Sequence, residues 1–434
     1  MIATDVLVAL RNLKQHGKRN ALLGVAIATV ALLLVLFMGI IAGIRGAMME
    51  SATTLFTGHV NVGGFFKITS GSGAPLVTEY PRVMADVKRM VPELDFATIR
   101  GRGYARAISD SSSMDLVLWG LQVGNERGFR KVVRVVEGRI EDLEQPGTIL
   151  LFEKVAERLK VKVGDALTLS APTARGVNNT LDVRVAAIGK SMGLLSGFVG
   201  YLPEPSLRAL YQLSPTTTGA VHLYLRDPAA AGQVAARLHD DLVRAGYRVM
   251  DHDPQPYWMK FQKVNSEDWT GQKLDVTTWN DEVSFLEFII NIVQGLATIL
   301  VGVLLFIVIV GIMNTLWIAI RERTREIGTM RAIGMQRTQV MRLFLLEAAL
   351  LAFLGGTLGA LAGAGIAALV NAAQVKVNEG LQMLVLQERL TIAVTPGRLA
   401  AYVAGLTLLT AFAALLPALR AARLKPVTAM HHIG

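Results

Sequence analysis

The segment Arg321–Gly334, RERTREIGTMRAIG, combines charged and apolar side chains closely, with four arginines and two glutamates. Ile327 and Met330 recur with Arg331 and Gly334 at helical spacing, which predicts a short helix with these residues on one face. A helix of this kind binds either a groove on a partner protein or the surface of a lipid bilayer. The pattern therefore indicates recognition rather than bond making, and it leaves both binding modes open.

Patterns that would carry catalysis are incomplete. The residues Ile188–Ser191, IGKS, resemble the end of a phosphate-binding loop, but that loop requires glycine where this chain has Arg184. The seven histidines are scattered, and the absence of cysteine excludes disulfides, thiolate catalysis and cysteine zinc sites. We expect no catalytic residue, no metal site and no cofactor in this chain, which would then not be an enzyme.

The composition is that of a membrane protein, since 52% of the residues are hydrophobic and the mean hydropathy is +0.42. A membrane-spanning helix needs about 20 predominantly apolar residues. Four uncharged runs meet this requirement: Ala21–Ile44, Phe288–Ile320, Ala348–Val370 and Leu399–Leu419. The second run has 33 residues and would extend about 50 Å as a helix, so we expect it to project from the membrane as a stem.

The positive charge is confined to three short flanks of these runs. Residues 1–20, residues 321–342 and the tail after Leu419 contribute +3, +4 and +3, which together are the whole net charge of +10. The positive-inside rule places all three flanks, and both termini, in the cytosol. These basic residues read as topology signals and contacts to membrane lipids, so we expect no nucleic acid partner.

The predicted fold class is a membrane protein with four transmembrane α-helices plus a large α+β periplasmic domain between helices 1 and 2. That domain shows two strand–helix–strand units, at 58–108 and 219–253, around a strand-rich insert, which indicates two subdomains. We expect its last strand at Tyr247–Asp251, and a helix in the later part of Val264–Glu287. The predicted divisions are a cytosolic amphipathic helix 1–20, a first span 21–44, a periplasmic domain with stem 45–284, a second span 285–320, a cytosolic coupling loop 321–342, a third span 343–371, a short periplasmic loop 372–397, a fourth span 398–419 and a cytosolic tail 420–434.

Small residues recur at four-residue spacing in the third span, at Gly355, Gly359 and Gly363. Such a stripe allows another helix to approach closely. The partner helix could belong to this chain or to a second copy in a dimer, and the sequence favours neither.

The block Gly311–Gly363 is similar to the FtsX-type permease domain of ABC transporters, and the tail Pro417–Met430 resembles the ending of that family. In the family this block seats on the ATPase. The resemblance therefore implies a dimer of ABC ATPase subunits, which would bind the ATP and Mg, and a second permease copy or paralogue. The implied ATPase contact comprises Arg321, Glu322, Arg323, Arg325, Glu326, Ile327, Gly328, Met330, Arg331, Ala332 and Gly334.

The periplasmic domain resembles the lipoprotein-releasing (Lol) branch of these permeases. The matching blocks are Gly58–Val62, Glu137–Pro172 and Val185–Leu213, with a departure at Phe152 and Glu153, where relatives usually have a glycine before the helix. The resemblance implies mechanotransmission, in which ATP hydrolysis drives the release of lipoproteins from the bacterial inner (cytoplasmic) membrane. The implied substrate is a lipoprotein, and the implied further partner is a periplasmic chaperone that receives it. The implied lipid or substrate cleft draws on Phe37, Ile40, Ile41, Phe285, Phe288, Ile289 and Ile292, each of which is equally compatible with plain packing or a lipid-facing role.

Two other functions fit the same resemblance. The macrolide-exporter (MacB) branch matches in topology and exports small molecules or peptides with periplasmic and outer-membrane partners, although its members carry a fused ATPase domain that this sequence does not contain. The cell-division FtsX branch transports nothing and signals to cell-wall hydrolases. A periplasmic domain of about 240 residues disfavours this signalling role, because that branch usually has a smaller one.

Overall fold

The computed structural model of the protein describes residues 9, 11, 12, 15, 17–126, 128–173, 176–191, 195–377 and 389–423. Most of the predicted helix at 1–20, the middle of the predicted loop at 372–397 and most of the tail at 420–434 lie outside these residues. The described chain forms two compact units. We call them the helical unit, which comprises residues up to Ile44, Ile290–Lys376 and Arg389 onward, and the sheet unit, which comprises Arg45–Ile289 with Val377.

Helix α1, Gly17–Leu55, begins in the helical unit and ends in the sheet unit. Its residues 21–44 carry no charge, and a helix satisfies their backbone hydrogen bonds internally, as a lipid environment requires. Its 39 residues extend about 58 Å, against about 30 Å for the hydrocarbon core of a bilayer. Helix α1 is thus long enough to cross a membrane and still contribute its last turns to the sheet unit.

The sheet unit contains one sheet of eleven strands with short helices packed on it. The strands are β1 Val60–Thr69, β2 Ser72–Ala74, β3 Leu94–Ile108, β4 Ser113–Leu121, β5 Val135–Gly138, β6 Thr148–Phe152, β7 Ala166–Pro172, β8 Asn178–Gly189, β9 Val199–Pro203, β10 Ala220–Leu225 and β11 Gly271–Thr278. The helices are α2 Tyr80–Met90, α3 Phe129–Val132, α4 Glu153–Leu159, α5 Glu204–Tyr211, α6 Ala231–Arg244, α7 Phe261–Ser266 and α8 Trp279–Glu282.

The strand order is β11-β1-β10-β3-β4-β9-β6-β8-β5, with β2 paired to β1 and β7 paired to both β3 and β8. The pairs β4–β9 and β6–β8 are parallel, and the other pairs are antiparallel. The first four strands of this order come from the two ends of the domain sequence. The strand-rich insert, β4 to β9, continues the same sheet.

Helices α2 and α6 cover one face of the four strands β11, β1, β10 and β3. Helix α2 turns Val83 and Val87 inward, and α6 turns Val234, Leu238 and Leu242 inward, at the spacing of one helix face. These side chains form an apolar core with every second residue of the strands, on the face that the helices cover. The opposite face of the same four strands is also buried, but it carries polar residues such as Asn61, Thr98 and His222.

The helical unit continues with α9 Ser284–Glu322, α10 Thr324–Ala332, α11 Arg337–Ala373 and α12 Pro396–Ala422, of which the first turns of α9 belong to the sheet unit. Among the described residues, four helices are long and apolar enough to cross a membrane: α1, α9, α11 and α12. Their contacts centre on buried residues such as Ile27, Ile312, Phe344, Ala352 and Ala414. The predicted fold class, four membrane-length helices with a large mixed domain between the first and the second, is confirmed.

The glycine stripe of α11 packs against α1 of the same chain. A Cβ atom on Gly359 would lie 2.0 Å from the carbonyl oxygen of Ala28, and one on Gly355 would lie 2.9 Å from that of Gly24. Gly363 faces Leu32 and Val35 in the same way. Within this chain, therefore, the stripe is occupied by α1, which decides in favour of intramolecular packing over a dimer seam.

One secondary-structure prediction in the sheet unit was wrong. The expected strand Tyr247–Asp251 is only a single bridge from Val249 to Leu274, and the strand that follows α6 is β11. The helix expected in the later part of Val264–Glu287 is present, as α8 and the first turn of α9. Strand β11 turns Asp275 and Thr277 to the buried polar face of the sheet and Leu274 and Val276 to the apolar core.

We predict that Gly359→Ala destabilises the helical unit, because the added methyl group would overlap the backbone of Ala28 and force α1 and α11 apart. The expected loss is about 1–3 kcal/mol, measured as a lower thermal unfolding midpoint of the full chain in detergent. Gly365→Ala on the same helix is the control, since nothing lies within 4 Å of its added Cβ. Equal midpoints for the two variants would contradict the packing of α11 on α1.

Candidate functional site

The segment Arg321–Gly334 forms the end of α9, helix α10 and the turn before α11. Helix α10 packs on the chain itself, with Ile327 only 1% exposed in the core of the helical unit and Met330 half-buried beside it. Arg323, just before α10, forms an ion pair of 3.5 Å with the buried Glu347 of α11. The short helix is thus held to its neighbour by an apolar contact and a charge pair.

The structure divides the predicted ATPase contact into an inner and an outer set. Arg323, Ile327 and Gly328 are buried within the helical unit, which corrects their expected availability to a partner. Met330 and Arg331 are half-buried. The exposed members, which we call the coupling surface, are Arg321, Glu322, Arg325, Glu326, Ala332 and Gly334.

Ile333 belongs to this coupling surface but was missing from the sequence-based prediction. Its side chain is 83% exposed, which is unusual for isoleucine beside a packed helix end. Gly334 follows it with a φ of 111°, a conformation that glycine adopts without strain and that turns the chain toward α11. The signal in the sequence was the position of Ile333, between two residues already assigned to the contact.

The seven residues predicted to form a lipid or substrate cleft are divided between the two units. Phe37, Ile40 and Ile41 are half-buried on α1, and Ile292 is exposed on α9, all in the helical unit. Phe285 lies in the sheet unit, where its ring meets that of Trp258 at 5.6 Å. Phe288 and Ile289 are helical, and their side chains lie outside the described part of the chain. No single described unit brings all seven together, so the cleft stays a prediction.

Arg100, whose role was not predicted from the sequence, holds the end of α1. Its fully buried guanidinium donates hydrogen bonds of 2.6 and 2.5 Å to the carbonyl oxygens of Leu55 and Thr54. It also donates to both carboxylate oxygens of Glu126, at 2.8 and 2.7 Å. The last carbonyls of a helix have no partner within the helix, so these bonds satisfy groups that would otherwise be orphaned.

Two tyrosine hydroxyls complete this attachment. Tyr201 donates to the carbonyl of Leu55 at 3.1 Å, and Tyr224 donates to that of Thr53 at 2.8 Å. Burial raises the pKa of Tyr224 to about 12 and that of Tyr201 still further, so both hydroxyls remain donors at physiological pH. Burial alone lowers the pKa of Arg100, but the neighbouring Glu126 raises it above its ordinary value, so the guanidinium keeps its charge.

Arg102, two residues along β3, contacts α8, the short helix that directly precedes α9. It pairs with the buried Glu282 of α8 at 3.3 Å, and its guanidinium lies 4.3 Å from the centre of the Tyr257 ring. Glu282 also accepts a hydrogen bond of 2.9 Å from Thr277 at the end of β11. Helix α9 begins two residues after Glu282, so this pair ties the segment directly before α9 to β3.

Arg100 and Arg102 share a face of β3 because side chains alternate along a strand. The other face of β3 carries Gly101 and Gly103, which leave room for α5. A Cβ on Gly101 would lie 2.5 Å from the carboxylate of Glu204, and one on Gly103 would lie 2.6 Å from the ring of Tyr211. The alternation Arg-Gly-Arg-Gly was the signal in the sequence that could have located this strand. We call Arg100, Glu126, Arg102 and Glu282 the arginine clamp.

His222 lies beside the arginine clamp in a row of buried polar residues that crosses the sheet. In register, Thr277, Asn61, His222 and Thr98 face the same side on four neighbouring strands. Neither ring nitrogen of His222 has a hydrogen-bond partner among the described residues. Burial, together with the charges of Arg100 and Arg102, holds the pKa of His222 well below its ordinary 6.5. This histidine is therefore neutral in the folded protein.

Among the described residues, no group of three or more histidine, aspartate or glutamate side chains could hold a metal ion. The coupling surface offers a charged contact on the helical unit, and the arginine clamp joins α1 and α8 to one strand of the sheet unit.

Two family models match the chain: a MacB-like periplasmic core domain over residues 21–241, about half of the chain, and an FtsX-like permease C-terminal domain over residues 298–426. The first match covers α1 and most of the sheet unit. The second covers α9 to α12, including the coupling surface.

Curated relatives and solved structures are similar over shorter stretches. The macrolide export ATP-binding/permease protein MacB of Bordetella avium (strain 197N) is 35% identical over 145 residues, 33% of this chain and 19% of that protein. The uncharacterized ABC transporter permease YvrN of Bacillus subtilis (strain 168) is 34% identical over 122 residues, 28% of this chain and 26% of that protein. The match thus spans about a quarter or less of these relatives' length. The periplasmic region of MacB from Actinobacillus actinomycetemcomitans aligns with 42% of this chain and 85% of its own at 12% identity, and its TM-score of 0.28 is too low to carry an argument.

We predict that Arg100→Met destabilises the sheet unit by about 3–5 kcal/mol, because it leaves the carboxylate of Glu126 buried without its counter-charge. Adding Glu126→Leu should recover part of that loss, since both charges are then removed, but the carbonyls of Thr54 and Leu55 remain unbonded. The measurement is denaturant unfolding of the full chain, followed by tryptophan fluorescence. Arg106→Met, which removes an exposed arginine of the same strand, serves as the control. A loss no greater than that of the control would contradict the role of Arg100.

We predict that the sheet unit loses stability as pH falls below about 6.5 and that His222→Leu reduces this loss. The folded-state pKa of His222 is depressed, so the unfolded state takes up the proton first and acid favours unfolding, by up to about 1.4 kcal/mol per pH unit. The pKa of His59 is also lowered by burial, so this histidine still contributes to the acid-induced loss of stability in the variant. Thermal midpoints between about pH 7.5 and about pH 5 measure the effect, with the exposed His252→Leu as control. Parallel curves for wild type and His222→Leu would disprove the assignment.

Proposed function

This chain belongs to the permeases built from a MacB-like periplasmic core domain and an FtsX-like C-terminal domain, and on that premise we propose that it is the membrane subunit of an ABC transporter. A separate dimer of ATPase subunits binds ATP and Mg and supplies the hydrolysis. The chain is a multi-pass protein of the bacterial inner membrane, with both termini cytosolic and the sheet unit in the periplasm. It pairs with a second permease, either a copy or a paralogue.

The observation that carries this proposal is the arginine clamp. Helix α1 is attached to strand β3 by Arg100, and α8, the short helix that directly precedes α9, is attached to the same strand by Arg102. Buried ion pairs with several hydrogen bonds hold their groups in one geometry. A displacement of either helix is therefore passed to the same strand, which is what transmission of force from a cytosolic motor to a periplasmic domain requires.

The coupling surface is the proposed contact with the ATPase. Its exposed arginines and glutamates can form ion pairs with a partner, and the exposed side chain of Ile333 can enter an apolar groove. The Arg323–Glu347 pair and the buried Ile327 join α10 to α11. A displacement of α10 by the ATPase would then move α11, to which α10 is joined.

The proposed substrate is a lipoprotein, which the transporter extracts from the inner membrane and passes to a periplasmic chaperone. The resemblance of Gly58–Val62 and Glu137–Pro172 to the lipoprotein-releasing branch supports this choice. Extraction of an acyl chain costs about 0.8 kcal/mol per buried CH₂, which is a load that justifies ATP hydrolysis. The side chains proposed to receive the lipid are those of the predicted cleft, Phe37, Ile40, Ile41, Phe285, Phe288, Ile289 and Ile292.

Export of small molecules or peptides is the second candidate, because the relatives compared above include a protein named for macrolide export. The two candidates differ in the chemistry of the substrate and in the periplasmic partner. A lipoprotein transporter hands its cargo to a soluble chaperone, whereas an exporter connects to an adaptor and an outer-membrane channel.

The deciding experiment is purification of the full chain in mild detergent, identification of co-purified proteins, and reconstitution of the complex in proteoliposomes that contain a labelled lipoprotein. ATP-dependent appearance of the lipoprotein on a soluble chaperone would support the proposal. Release of labelled macrolide or peptide instead, with no lipoprotein release, would favour the second candidate. Recovery of no ATPase subunit would argue against both.

We predict that Glu326→Lys uncouples ATP hydrolysis from substrate release, because it reverses a charge on the exposed side of α10 without touching the packed side. ATPase activity should become insensitive to substrate, while the amount of membrane-inserted permease stays unchanged. The matched control is Glu157→Lys, the same charge reversal at an exposed position on α4 of the sheet unit. Wild-type coupling in Glu326→Lys would remove the coupling surface from the mechanism.

A further inference from the structure

The sheet unit contains a cavity of about 960 Å³ that the preceding assignments leave unused. Ligand sites that enclose drug-sized molecules have volumes of about 300–1,000 Å³ and are mostly apolar. Ten of the described residues lining this cavity are aromatic, and ten of the other eighteen are alanine, valine, leucine, isoleucine, proline or methionine. The cavity has both the size and the surface of a ligand site.

One wall of the cavity is a continuous chain of aromatic rings. Phe56 meets Trp119 at 6.1 Å, Trp119 meets Tyr257 at 6.2 Å, Tyr257 meets Trp258 at 5.5 Å, and Trp258 meets Phe285 at 5.6 Å, all in edge-to-face geometry. Such contacts stabilise each pair by about 0.5–1.5 kcal/mol beyond the burial of area. The rings therefore form a braced apolar surface rather than a set of loose side chains.

The ends of this aromatic wall coincide with the ends of the two long helices. Phe56 directly follows the last residue of α1, and Phe285 is the second residue of α9. Phe285 lies nine positions before Gln294, the first residue of the candidate span, which is about 13 Å along a helix. Both segments that lead from membrane-length helices into the sheet unit thus contribute to the cavity.

The charges in the wall do not favour an ionic ligand. Among the described lining residues the charged side chains are Arg102, Glu282 and Asp115. Arg102 is already paired with Glu282 through Nη2, although its Nε has no hydrogen-bond partner among the described residues, and Asp115 is exposed. No unpaired cation in this described lining attracts a phosphate or a carboxylate. An electrically neutral, apolar occupant matches the site.

We infer that this cavity holds an acyl chain that leaves the membrane beside α9, lying against the aromatic wall. The identity of the chain as that of a transported lipoprotein rests on the proposed function, whereas the acyl-chain site itself does not.

Photolabelling tests the site in the full chain, embedded in nanodiscs. Two probes carry a diazirine on a palmitoyl chain: a phosphatidylcholine of the bilayer and a synthetic acylated peptide. We expect labelled peptides from the cavity wall, around Phe56 and Tyr257–Phe261, with at least one of the probes. Labelling confined to α9, α11 and α12 with both probes would overturn the inference.

Two variants block the cavity at different elements. Val117→Trp places an indole in the cavity from β4, and Met259→Trp does so from the loop before α7, where the side chain is half exposed and easily replaced. Both should abolish labelling of the wall, and Val243→Trp, on the exposed side of α6, should not. Only variants with a wild-type unfolding midpoint are compared. Undiminished labelling in a folded blocking variant would contradict the site.

The two probes separate this inference from the proposed function. Labelling of the wall by the acylated peptide supports both. Labelling by phosphatidylcholine alone supports the acyl-chain site and counts against a lipoprotein substrate. Absence of wall labelling, together with ATP-dependent lipoprotein release in proteoliposomes, would remove the site and leave the proposed function intact.

Discussion

The buried guanidinium of Arg100 is the interaction on which the attachment of α1 to the sheet unit depends. An isolated buried charge costs several kcal/mol. Arg100 is tolerated there because the carboxylate of Glu126 balances its charge and the carbonyl oxygens of Thr54 and Leu55 accept hydrogen bonds from it. The helix in turn depends on Arg100, because the carbonyls of its last turn have no N–H partner within the helix. Strand β3, the turn at Glu126 and the last turn of α1 are therefore folded around one group.

Buried arginine–glutamate pairs also lie at two other junctions. Arg102 and Glu282 join β3 to α8, the short helix before α9, and Arg323 and Glu347 join the start of α10 to α11. Arginine suits this use because its planar group donates several hydrogen bonds in fixed directions and stays charged when buried. These pairs add little net stability compared with apolar packing, but each one holds a single geometry. Rigid junctions of this kind serve transmission of movement better than a larger core would.

Close backbone packing has the complementary role within the helical unit. Gly355 and Gly359 bring α11 so near to α1 that a single methyl group would overlap the neighbouring backbone. A helix pair packed in this way moves together, because neither helix can shift without losing contact along the stripe. The ionic junctions and the glycine stripe thus join α1 both to the coupling surface, through α11 and α10, and to the sheet unit, through Arg100.

Much of this organisation could be predicted from the amino-acid sequence, because it depends on local composition. Long uncharged runs must be helices in lipid, and the spacing of Gly355, Gly359 and Gly363 favours a close neighbour. What the sequence could not determine is which groups meet across large separations. The choice of α1 as the glycine partner, the burial of Arg323 and Ile327 away from the coupling surface, and the pairing of Arg100 with Glu126 all depend on tertiary packing. Strand β11 was missed although Lys273–Thr277 alternates polar and apolar residues, and only its pairing with β1 shows that its polar side is buried. The spacing of apolar residues predicts which side chains face a core. It does not predict which charged side chains are buried, because that depends on partners that are distant in the sequence.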